Sequence, residues 1–84
     1  MREKRRILLL RELELQLRNT IYHLDNVVRI LDTLITDYKM YSLIILKNIT
    51  GGIQFFLEET ERSIRDLAEY EEKIQKVEER EKRT

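Results

Sequence analysis

The sequence predicts an all-α fold: a long two-helix antiparallel hairpin, coiled-coil-like, dimerising into a four-helix bundle. Three observations predict it. The first is a heptad seam. Alternating steps of three and four from Ile7 meet Leu10, Glu14, Leu17, Ile21, Leu24, Val28, Leu31, Ile35, Tyr38, Ser42, Ile45 and Ile49, and only Glu14 and Ser42 are not apolar. A helix with that seam packs along its whole length against other helices. The second is the adjacent pair Gly51 and Gly52, after which the register changes. The third is composition: 38% charged residues and no proline, which suits long helices carrying exposed ion pairs.

The elements follow in order within one domain, residues 1–84. Residues 2–6 are mostly basic and open helix 1, predicted over about 3–48. Positive charge there is disfavoured by the helix dipole, by a few tenths of a kcal/mol, so an acidic partner helix is one reason to find it. With Ile7 at position a, the a residues are mostly β-branched and the d residues mostly Leu, a choice that favours two strands. Position g adds Leu13, Thr20, Val27, Leu34 and Tyr41. That wider stripe fits a bundle of three or four helices. The predicted oligomer interface is therefore Ile7, Leu10, Leu13, Leu17, Ile21, Leu24, Val28, Leu31, Ile35 and Tyr38.

Asn48-Ile-Thr-Gly-Gly then supplies the residues of a turn at about 48–52. Two glycines inside a helix cost about 2 kcal/mol relative to alanine, whereas a helix end uses them. Helix 2 follows over about 53–81, on a seam shifted by four: Ile53, Phe56, Thr60, Ser63, Leu67, Tyr70, Ile74 and Val77, flanked by Leu57 and Ile64. A stutter in one continuous helix, or a β-hairpin pairing 42–46 with 53–56, are the alternatives for this region. Folding at about residue 50 makes helix 1 overhang helix 2 by roughly 10–15 residues at 1.5 Å each. Ile7 to Leu17 then needs a second chain, or another helical protein, to cover it.

The remaining bounds are mostly exclusions. The chain has no Cys and a single His, so disulfides, thiolate sites and histidine clusters do not arise; no cofactor or metal is expected. A small scaffold without those staples turns to oligomerisation. Lys+Arg and Asp+Glu are 16 each, which gives no bulk attraction to nucleic acid or anionic membrane. The richness in Glu, Lys, Arg and Ile is thermophile-like. The four-residue apolar run after the basic start is too short for a secretory signal, and Met40–Leu57 carries Lys47, Asn48 and Gln54, which argues against a membrane span. The expectation is a soluble cytoplasmic protein.

No catalytic set is evident. His23 sits off the a/d line without an acid–base or nucleophilic partner. Leu17, Arg18, Ile21, Leu24 and Asp25 resemble the opening of the first helix of the all-helical chorismate mutases. The resemblance covers nine residues, and where that family carries a second Arg and a Lys this chain has Ile35 and Leu46, so the cationic pocket is missing. The function expected is that of a non-enzymatic, self-associating structural or adaptor module. The alternatives are a nucleic-acid accessory role through Arg2, Lys4, Arg5, Arg6 and Arg11, and a membrane-surface contact through the apolar tip at 43–46 and 55–57.

Overall fold

The computed structural model describes residues 2–83, with side chains from 4 to 82. Helix α1 runs Arg2–Tyr38 and helix α2 runs Ile44–Arg83, joined by Lys39, Met40 and a single 3-10 turn, Tyr41–Leu43. The two lie antiparallel in a rod whose Cα extents are 68 × 15 × 14 Å. Its radius of gyration is 19.3 Å, against about 12 Å for a compact domain of this length.

The predicted hairpin is present, but its turn is not at Gly51 and Gly52. Helix α1 stops ten residues before the predicted 48, and α2 passes straight through both glycines. The reversal is made at Lys39, which adopts φ 60. The Met40 N–H then donates to the Leu34 carbonyl at 3.2 Å, and the Leu43 N–H to that of Met40 at 3.1 Å. A left-handed non-glycine residue costs about 1–2 kcal/mol, and the helical glycines about 2 kcal/mol more.

What offsets those costs is length matching. Turning at 39–43 gives helices of 37 and 40 residues, so the predicted overhang does not exist. Ile7 is buried, and Leu10 and Leu17 are half-buried, against the chain's own α2. Each large apolar side chain taken fully out of water contributes about 1.5–3 kcal/mol, so covering this end outweighs two misplaced glycines. Among the described residues there is no strand, so the β-hairpin alternative for 42–56 does not form.

The register shows in the cross-helix polar contacts. The residue numbers of facing partners add to 79 for Asp32–Lys47, Asp25–Gln54 and Arg18–Glu61. A turn at residue 50 would have made them add to about 101. The a/d seam of α1 packs on α2 from Ile7 to Ile35, every member buried or half-buried. Tyr38, predicted to continue it, is exposed at the helix end, and Leu13 is partly exposed. The surface that meets this seam is Leu43 of the 3-10 turn and Lys47, Thr50, Gln54, Leu57, Glu61, Ile64, Ala68, Glu71 and Gln75 of α2, all buried or half-buried. It is semi-polar, and it is not the apolar seam that the sequence assigned to helix 2.

Candidate functional site

That apolar seam faces outward. Leu46, Ile49, Ile53, Phe56, Leu67, Tyr70, Ile74 and Val77 are all exposed, with Phe56 at 68% and Tyr70 at 62%. They recur at heptad spacing down one side of α2 for eight turns or so, with Thr60 and Ser63 in the middle. On α1 a second exposed stripe runs Leu9, Leu13, Gln16, Thr20, His23, Val27 and Ile30, with Leu34 half-buried beyond it.

The two stripes lie on the same face of the hairpin. In an antiparallel helix pair, the residues on corresponding flanks of the two seams come out on one side. The flank with Arg11, Arg18, Asp25 and Asp32 is charged, and its meeting with the matching flank of α2 is seen directly in the Arg11–Glu72 pair at 2.6 Å. The opposite flanks must then adjoin as well. They are Leu13, Thr20, Val27 and Leu34 on α1 and Leu46, Ile53, Thr60, Leu67 and Ile74 on α2. The register sets Leu13 level with Leu67, Thr20 with Thr60, and Val27 with Ile53. A shallow groove of about 410 Å³ lined by Tyr70, Lys73, Ile74, Val77 and Glu78 opens on this face. Another, of about 380 Å³, lies on α1 between Asn26, Arg29, Ile30, Thr33 and Leu34.

The charged side is a network. Glu14, the interruption in the seam, is buried and accepts hydrogen bonds from Arg11 at 2.7 Å and Arg18 at 2.6 Å. Arg18 also reaches Glu61, itself buried, at 3.0 Å. Arg11 continues to Glu72, and the hydrogen bond from its guanidinium holds the Glu72 carboxyl below the ordinary carboxylate range, with a smaller push from Lys76. The same contacts raise Arg11 further above its usual value.

Of the predicted nucleic-acid residues, Arg6 is paired with Glu71 and Arg11 with Glu72 and Glu14. Lys4 and Arg5 are exposed, and the Arg2 side chain lies outside the described residues. His23 is exposed and packs edge-on against Tyr22, with centroids 5.9 Å apart. Among the described residues no group of His, Asp and Glu is arranged to hold a metal ion. No helix is long and apolar enough to cross a membrane. Gly51 and Gly52 are ordinary helical residues with open space beside them.

The α2 stripe is visible in the sequence, but its neighbour is not the chain's own α1. The semi-polar seam that packs on α1 is too mixed to register as an interface by hydrophobicity, and only its heptad spacing, from Leu43 to Gln75, signals it. No protein-family model, curated protein or solved structure matches the chain.

Proposed function

We propose that this protein is a non-enzymatic structural or adaptor module that self-associates through its apolar face, two hairpins closing into a four-helix bundle. The observation that carries the reading is the continuity of that face across both helices. Exposed apolar patches of this extent mark interaction surfaces. The surface that the rod leaves exposed supports a second copy as the occupant. The accessible surface is 6952 Å², whereas a compact monomer of 10.3 kDa exposes about 5,400 Å². The excess, about 1,600 Å² per chain, comes with the extended 68 × 15 × 14 Å shape; for two chains it is about 3,200 Å², within the 2,000–5,000 Å² that obligate homodimers bury in total.

Light scattering at micromolar concentration tests this. The expected solution mass is twice 10.3 kDa; a mass of one chain overturns the reading. The charge network counts against the nucleic-acid alternative, because carboxylates already hold Arg6 and Arg11.

A further inference from the structure

The α2 stripe has a symmetry that self-association alone does not require. From Leu46 to Val77 its spacing reads three, four, three, four, three, four, three, four, three, the same in both directions. Its chemistry is also palindromic: four apolar residues, then Thr60 and Ser63, then four apolar residues. We infer that two copies meet with their turns at opposite ends, about a two-fold axis across the helices between Thr60 and Ser63. The inference rests on the self-association proposed above and specifies its geometry.

Antiparallel pairing of α2 with the partner's α2 about that point sets Phe56 on Leu67, Ile53 on Tyr70, Ile49 on Ile74 and Leu46 on Val77. Thr60 meets Ser63, hydroxyl to hydroxyl. On α2 every level is apolar on apolar or polar on polar, and the groove at Tyr70, Ile74 and Val77 receives Leu46 and Ile49. The intrachain register puts Gln16 and Thr20 of α1 at this same central level, so the polar band crosses both helices at the axis. A face that is polar at its centre and apolar at both ends is what a two-fold axis at its midpoint matches to itself.

The alternative two-fold, along the rod with both turns at one end, stacks α1 of each copy on α2 of the other at unchanged levels. Leu13 then meets the partner's Leu67, Thr20 its Thr60 and Val27 its Ile53, so the stripes match in this arrangement too. It does not use the palindrome of the α2 stripe, and that palindrome is what favours turns at opposite ends.

Spin-label distances decide the matter, and the chain has no cysteine of its own to interfere. Arg62→Cys labels the centre and Arg80→Cys the open end; both positions are exposed and off the apolar face. With turns at opposite ends, the two Arg80 labels of a dimer lie roughly 55 Å apart along the rod at 1.5 Å per residue. The two Arg62 labels are then separated only by the width of the bundle. Similar short distances at both positions overturn the arrangement while leaving the dimer intact. Absence of any distance, with a one-chain mass, overturns the self-association itself.

Discussion

At Glu14 a carboxylate stands where the heptad calls for a hydrophobe. It is 5% exposed and held by Arg11 and Arg18, and the second of these also holds Glu61. Removing one partner from such a cluster leaves a buried acceptor short of a donor, so Arg18→Met is expected to lower stability by about 1–2 kcal/mol in urea unfolding. Replacing the buried ion by an apolar residue of similar size is often neutral or better. Glu14→Leu, which leaves Arg11 on Glu72 and Arg18 on Glu61, is therefore expected to be neutral or to gain about 1 kcal/mol. A large loss from Glu14→Leu would mean that the carboxylate fixes the register and is not merely tolerated.

Glu72 makes a pH prediction. Its carboxyl is lowered in the folded state by the Arg11 hydrogen bond, so its contribution is present above the ordinary carboxylate range and lost as pH falls through the lowered value. The urea midpoint should fall on acidification, and Glu72→Gln should flatten part of that fall; identical acid profiles would show that the pair contributes nothing. The seam residues Ile7 to Ile35 were legible in the sequence as one helix face. The meaning of Glu14 was not, because Glu61, which completes its cluster through Arg18, stands 43 residues beyond that arginine.

At the scale of elements, the two helices were legible and the turn between them was not. Asn48-Ile-Thr-Gly-Gly carries the local chemistry of a reversal, and Lys39-Met-Tyr-Ser carries neither glycine nor proline. Local preference lost to pairing length: a turn at 39–43 lets nearly the whole of α1 find a partner on α2, and a turn at 50 does not. The glycines make this testable. A Cβ at Gly51 or Gly52 meets nothing within 4 Å, and neither has positive φ. The double variant Gly51→Ala/Gly52→Ala is expected to stabilise the protein by about 2 kcal/mol, read as a raised unfolding midpoint. Were the reversal at 48–52, where a residue of positive φ is needed, the same variant would be strongly destabilised.

At the scale of the molecule, the hairpin is amphipathic as a unit. One long side carries the Arg11, Arg18 and Asp32 ion pairs, together with exposed Leu8, Leu15 and Tyr22, and the other carries the exposed stripes of both helices. The α2 stripe was visible in the sequence as a seam, and an a/d/g width on α1 pointed to more than two helices. What the sequence did not contain was their division: α2 uses a semi-polar surface for its own chain and keeps the apolar one outward. Periodicity gives the spacing of a face but not the identity of its neighbour. This face, and not some other exposed hydrophobe, is proposed to hold two copies together. Sedimentation equilibrium of Ile53→Glu/Leu67→Glu, beside Phe55→Glu as a control on the far side of α2, tests it most directly. Phe55 is as exposed as its neighbour on the face, at 64%, but points away from it. The double variant is expected to sediment as a single 10.3 kDa chain while Phe55→Glu stays a dimer; a double variant of dimer mass would overturn the proposed interface.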